Sequence, residues 1–166
     1  MKATDIRFRR ERAHRAGFSL AELLIAVAIL GILTAVSLPR FATLRTQTQL
    51  RAAMSQFQKT VMTARQTAIQ RGKPAYFKTN GQLLWVTLDT TGNNTDSVVV
   101  MRALSLPTMY YVNITSPSGL TSIKYDPRGI STSASKTVFI FTHTTSGTLD
   151  SLCVSKLGNT IREMCP

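Results

Sequence analysis

Gly17-Phe18-Ser19-Leu20-Ala21-Glu22 joins a short basic leader to an apolar run that continues to Leu38 with a single ionisable residue, Glu22. A carboxylate in a membrane-length helix costs about 2.5–3.5 kcal/mol at the bilayer centre, so such a group calls for a partner and a role. The chain supplies a partner. If the leader is cut after Gly17, Phe18 acquires a free α-amine, and Glu22 lies about one helical turn further along the same face. In an assembly, Glu22 of one copy can equally pair with the amine of its neighbour, which neutralises both charges only when subunits stack in register.

Phe18–Leu38 holds 21 residues, enough at about 1.5 Å per residue to span roughly 30 Å of hydrocarbon. A removable secretory signal has an apolar core of about 7–15 residues. The end of this run, Ser37-Leu38-Pro39-Arg40, also lacks a small-x-small cleavage pattern. A plain single-span anchor accounts for the length and leaves Glu22 unexplained. Lys2, Arg7, Arg9, Arg10, Arg12 and Arg15 precede the span, so the leader is expected to stay in the cytoplasm while the C-terminal part crosses the membrane. The formal net charge is +12; the leader holds six of the twenty basic and two of the eight acidic residues, leaving fourteen against six, or +8.

The basic leader, Gly17 before Phe18-Ser19-Leu20-Ala21-Glu22-Leu23-Leu24, Gly31 inside the run and Pro39 closing it resemble the class III signal of type IV prepilins and type II secretion pseudopilins. The resemblance implies cleavage between Gly17 and Phe18 by a prepilin peptidase, N-methylation of Phe18, and retention of the apolar helix in the mature protein. It also implies partners: other pilin or pseudopilin subunits through helix 18–71, the peptidase, and an inner-membrane assembly platform. The expected location is the bacterial inner membrane, single-pass with the C-terminal domain outside the cytoplasm, and then a pilus or pseudopilus.

Beyond the leader (1–17) and the membrane or filament-core helix (18–39), an amphipathic helix is expected over 40–72. Phe41, Leu44, Met54, Phe57, Val61, Ala64 and Ala68 recur mostly at spacings of three and four, with Arg45, Arg51, Gln58, Lys59, Arg65 and Gln66 on other faces. A bend is expected at Pro39, and Gly72-Lys73-Pro74 is a strong stop. From 73 to 166 β-branched and aromatic runs alternate with turn residues, predicting strands over Ala75–Thr79, 82–88, 97–104, 109–115, Ser122–Tyr125, 137–143 and 151–156. Helix first and strands afterwards favour an α+β fold, with a largely antiparallel sheet packed on the helix.

A narrower resemblance follows from Ala64-Arg65 with Ala68 and Arg71, from Ile123-Lys124-Tyr125-Asp126-Pro127-Arg128-Gly129, and from Val154-Ser155-Lys156-Leu157-Gly158-Asn159. These segments look like the GspH/FimT branch of pilin-like proteins, which contains secretion pseudopilins and minor pilins expected at or near a filament tip, where they help begin assembly. Some members of that branch bind DNA through a C-terminal Gly-Arg-x-Arg element. Here Gly158 is followed by Asn159-Thr160-Ile161-Arg162, so both expected arginines are missing; Lys156 and Arg162 are the candidate DNA contacts that remain, in a chain whose charge permits nonspecific phosphate binding.

Catalytic chemistry is poorly provided for. His14 leaves with the leader, and His143 falls in an expected strand. Asp89, Asp96, Asp126 and Asp150 fall at turns or strand ends, where Asp commonly stabilises backbone, and neither they nor Glu163 make a pair spaced for acid–base work. No metal cluster, cofactor motif or phosphate loop is evident, and a non-enzymatic structural subunit is expected. Trp85, Tyr110, Tyr111, Phe139 and Phe141 are first of all core or cross-strand residues, with an exposed recognition patch as the alternative. Cys153 and Cys165 in an exported domain are expected to form a disulfide, contributing about 3 kcal/mol; a zinc half-site lacks further ligands nearby. Replacing Gly17 with Ala is expected to block or slow processing, so that mass spectrometry finds residues 1–17 still attached; an unchanged mature N-terminus contradicts the assignment.

Overall fold

The structure, a computed structural model, describes residues 18–91, 97–132 and 136–162, apart from the side chains of Val36 and Pro39. The chain divides into two compact units, Met1–Phe41 and Ala42–Pro166, and helix α1 (Leu20–Arg71) contributes to both.

In the first unit the helix opens on a cap. The Ser19 Oγ accepts a hydrogen bond from the Ala21 amide at 3.2 Å, and the Ser19 carbonyl accepts the Leu23 amide at 3.2 Å, satisfying donors that the first helical turn otherwise leaves open. Further on, the Thr34 hydroxyl donates back to the Leu30 and Gly31 carbonyls, and Ser37 to Leu33. These polar groups thus close on the backbone, which suits an apolar surrounding.

In the second unit, Leu50, Ala53, Met54, Phe57, Val61, Ala64 and Ala68 form the buried stripe of α1. The expected stripe is corrected at its start: Phe41 and Leu44 are 73% and 59% exposed. The core begins only at Leu50. Gly72, at φ +61, ends the helix in the left-handed conformation that an L side chain resists.

Among the described residues eight strands follow: β1 (Ala75–Thr79), β2 (Leu83–Asp89), β3 (Ser97–Ser105), β4 (Val112–Thr115), β5 (Ser122–Tyr125), β6 (Lys136–His143), β7 (Leu149–Ser155) and β8 (Thr160–Arg162). They make two antiparallel four-stranded sheets, in the orders β3-β2-β1-β5 and β4-β6-β7-β8. The expected strand over 109–115 is corrected: a short helix, α2 (Leu106–Tyr110), precedes β4. Ser105 caps it, with its Oγ accepting from the Thr108 amide, Pro107 sits in its first turn, and Tyr111 closes it at φ 57.

The β1–β2 turn ties the sheets together. The Gly81 carbonyl accepts the Ile114 amide at 2.7 Å, and a Cβ at Gly81 would stand 2.8 Å from the Ile114 carbonyl oxygen. Phe57 on the helix is the common neighbour: its ring centroid lies 4.9 Å from Phe77 of β1, 4.7 Å from Phe139 and 5.4 Å from Phe141 of β6. Truncating Phe57 to Ala therefore removes contacts to both sheets at once and is expected to destabilise the domain by about 3–5 kcal/mol. Urea unfolding of the variant measures this; a loss below about 1 kcal/mol contradicts the packing.

Candidate functional site

The sequence-predicted site at the N-terminus is only partly within view. Gly17 lies outside the described residues; Phe18 is 84% exposed. Glu22 stands in the first turn of α1, three residues after the capping Ser19. Ser19-x-x-Glu22 is a capping-box spacing, a signal present in the sequence and not read there. A carboxylate in that turn also meets the positive end of the helix dipole, worth about 0.3–1 kcal/mol. That falls short of the roughly 2.5–3.5 kcal/mol cost of a charge at the bilayer centre, so the dipole alone leaves the need for a counter-charge.

Leu23, Leu24, Ile25, Val27, Leu30, Ile32, Leu33 and Leu38 are all more than half exposed. So much contiguous apolar surface on one helix marks a face meant for lipid or other proteins. Among the described residues no single helix is long and apolar enough to cross a membrane; Leu20–Ala35 and Arg40–Arg71 meet that condition only as a bent pair. Pro39, the expected bend, lies in α1, and its side chain is outside the description.

The three segments that carried the narrower resemblance converge on Arg65. Its Nε donates to the Gly129 carbonyl at 3.1 Å. Gly129 takes φ +76 beneath α1, where a Cβ would stand 2.6 Å from the Ile69 Cδ1. Gly158 sits as close to the other side: a Cβ there would meet the Tyr125 Oη at 3.1 Å and the Arg65 Cδ at 3.4 Å. The Ser131 amide donates to the Lys156 carbonyl at 2.8 Å, binding the two loops to each other.

Asp126 organises the first loop, its Oδ1 accepting the amides of Ile130 and Arg128 at 2.8 and 3.0 Å and its Oδ2 the Arg128 Nε at 3.1 Å. The Ile130 amide bond and then Arg128 hold its carboxyl below the usual carboxylate range. Its contribution is therefore present above the ordinary carboxylate pKa and lost as pH falls through the lowered one. Tyr125 is wholly buried, and its hydroxyl has no hydrogen-bond partner among the described residues. Burial pushes that hydroxyl up to about 12, against the opposing pull of Arg65. The arrangement is a clasp that fastens helix to loops; it offers no nucleophile–base pair.

His143 is likewise structural. It is buried in β6, with Nε2 3.0 Å from the Gln49 Oε1, while Nδ1 accepts the Ser146 amide at 3.2 Å. Asp89 is buried, Asp150 pairs with Arg162 at 2.6 Å, and Asp96 and Glu163 lie outside the described residues. Among the described residues no group of three His, Cys, Asp or Glu is placed to hold a metal ion. Cys153, in β7, is disulfide-bonded; Cys165 lies outside the described residues. Lys156 is exposed, whereas Arg162 spends its charge on Asp150. Phe139 and Phe141 are core residues, Trp85 is half-buried, Tyr110 packs against the core, and only Tyr111 is largely exposed.

Residues 53–158 match the family described as type II transport protein GspH, and residues 12–38 match the prokaryotic N-terminal methylation motif. The chain belongs to the GspH family. Two fimbrial proteins of Pseudomonas aeruginosa are each 42% identical over 57 residues, covering 34% of this chain and 36% of theirs, so the chain spans about a third of the length of these curated relatives. The type IV minor pilin FimU of Pseudomonas aeruginosa superposes in two crystal forms, with TM-scores of 0.55 and 0.53 at 12% and 13% identity. These superpositions cover 71% and 69% of this chain and 90% and 93% of FimU. The fold of this GspH-family chain is thus α+β and pilin-like, a helix packed on antiparallel sheets, and the family is one of filament subunits rather than an enzyme class.

The clasp makes a titratable prediction. With Tyr125 raised from 10.0 to about 12, its contribution to stability is full below pH 10 and is lost between pH 10 and 12, by about 3 kcal/mol. Tyr125→Phe is expected to be at least as stable at pH 7, since it removes an unpaired buried hydroxyl, and to lose less stability over that window. Equal losses in the two proteins, read by chemical denaturation at each pH, contradict the assignment.

Proposed function

We propose that this GspH-family chain is a non-enzymatic minor pilin or pseudopilin that acts at or near the tip of a type IV filament, helping to begin its assembly. It is made as a precursor, cut between Gly17 and Phe18, N-methylated at Phe18, and held in the inner membrane by segment 18–39 with residues 73–166 outside the cytoplasm. The assembly platform then draws it into the filament, where helices 18–38 exchange lipid for neighbouring helices. A disulfide joining Cys153 to Cys165 suits a subunit exposed to an oxidising exterior and mildly favours a pilus over a secretion pseudopilus.

One observation carries this reading: a helix whose large apolar side chains are exposed at the described positions of its N-terminal part, from Leu20 to Leu44, opening two residues before the only acid within its apolar run. Lipid accounts for the apolar side chains; pairing with a terminal amine accounts for the acid. The DNA-receptor alternative draws on Lys156 and Arg162, and the pairing of Arg162 with Asp150 leaves it the less supported of the two.

Glu22→Ala, Glu22→Val and Glu22→Gln separate pairing from capping, because glutamine keeps an acceptor at the capping-box position and lacks the charge. All three are expected to insert and be cleaved normally. Their recovery in sheared filaments is expected to fall at least about tenfold, which a loss of about 1.4 kcal/mol per subunit would produce. Glu22→Gln assembling like the unmodified protein contradicts the charge pairing.

A further inference from the structure

The turn between β6 and β7 stands against the start of the second unit. Ser146 and Thr148 of this turn share a crevice of about 280 Å³ with Ala42, Thr43, Thr46 and Gln47 of α1. His143 pins the turn to the helix, its Nε2 3.0 Å from the Gln49 Oε1 and its Nδ1 accepting the Ser146 amide. The chain entering β4 is tied to the same turn: the Tyr111 carbonyl accepts the Thr144 amide at 2.8 Å and the Thr144 hydroxyl at 3.1 Å. Helix, turn and the start of β4 thus make one end of the unit. Chain connectivity holds that end close to the apolar run, because Ala42 follows Leu38 by four residues. Four residues advance about 6 Å as helix and at most about 14 Å fully extended, and a bilayer headgroup layer is itself about 5–8 Å thick.

Large apolar side chains stand out at this level. Tyr111 is 49% exposed, Leu149, next after the turn, 64%, and Leu44 of α1 59%, and none of the three belongs to the core. The charge here is positive. Positions 42–51 of α1 carry Arg45 and Arg51 and no acid; both arginines are exposed, and neither takes part in an ion pair among the described residues. Asp150, the acid beside Leu149, is already neutralised by Arg162.

This combination is the chemistry of a headgroup boundary, where an amphipathic ring takes an interfacial depth, aliphatic groups enter the acyl margin and arginine meets lipid phosphate. A protein partner would suit the same side chains and leave their position unexplained. A membrane holding segment 18–39 lies next to this end without any further encounter. We propose that the end of the unit formed by Tyr111, Leu149 and Arg45 rests on an anionic lipid surface, with Tyr111 and Leu149 in the headgroup boundary and Arg45 on lipid phosphate. The contact rests on the membrane-anchored reading above and goes beyond it: the subunit has a second hold on the bilayer, released when it enters a filament.

The test is photo-crosslinking of the full processed chain, purified and reconstituted into vesicles of phosphatidylcholine with or without one third phosphatidylglycerol. A benzophenone amino acid replaces Leu149; controls carry it at Leu30, in the apolar run, and at Leu157, an equally apolar exposed site beside the clasp. The expected result is a lipid adduct from Leu149 in the anionic vesicles and none from Leu157. That adduct is expected to fall at least about fivefold in phosphatidylcholine alone and with R45E, while Leu30 labels lipid throughout. An adduct from Leu149 to a second copy of the chain overturns the proposal. Labelling at Leu149 that ignores both phosphatidylglycerol and R45E, or that Leu157 equals, overturns it too. Lipid labelling at Leu30 with silence at Leu149 removes the second hold alone; silence at both removes the membrane-anchored reading with it.

Discussion

Phe57 makes the contact on which the domain depends. One ring on α1 touches Phe77 from the first sheet and Phe139 and Phe141 from the second, so helix and both sheets share a single aromatic node. Around it Leu50, Met54, Val61, Ala64 and Ala68 supply the rest of the helical stripe. The small residues toward its end matter as much as the large ones. Ala64 and Ala68 are wholly buried, and the residues directly after them, Arg65 and Ile69, lie against Gly129.

That division of labour separates what α1 does in its two units. In Ala42–Pro166 the helix is a wall of a closed core; in Met1–Phe41 its described large apolar side chains are more than half exposed. Apolar surface of this extent calls for cover, and among the described residues none is given to this part of the helix. On the function proposed here, lipid first and neighbouring helices later would satisfy the same side chains without any change in their chemistry. On that proposal Glu22 is the exception, since lipid would offer it no counter-charge and a neighbour's amine would.

Much of this was legible in the sequence, for identifiable reasons. The stop at Gly72-Lys73-Pro74 and strands β1 and β5 stand where the residues put them, because turn punctuation brackets those segments closely. The stripe failed at Phe41 and Leu44, since helical spacing says which face is apolar and not where the sheets begin to cover it. Met109-Tyr110-Tyr111-Val112 reads as strand by propensity, yet Ser105 and Pro107 start a helix just upstream and local capping prevails. Strand β8 was missed because three residues carry too little pattern to register. The clasp was present as three separated motifs whose common neighbour, Arg65, only the fold reveals. Ser19 as a helix cap was readable and went unread, because the cleavage-signal resemblance already accounted for those residues.

Density for an assembled filament that resolves side chains at its membrane-derived core tests the central interaction most directly. This chain is expected to begin at Phe18, with helix 18–38 enclosed by neighbouring helices and the Glu22 carboxylate within roughly 4 Å of a terminal amine, its own or a neighbour's. A filament in which Glu22 faces solvent or apolar side chains, with every Phe18 amine further away, would contradict the pairing on which assembly is here made to depend.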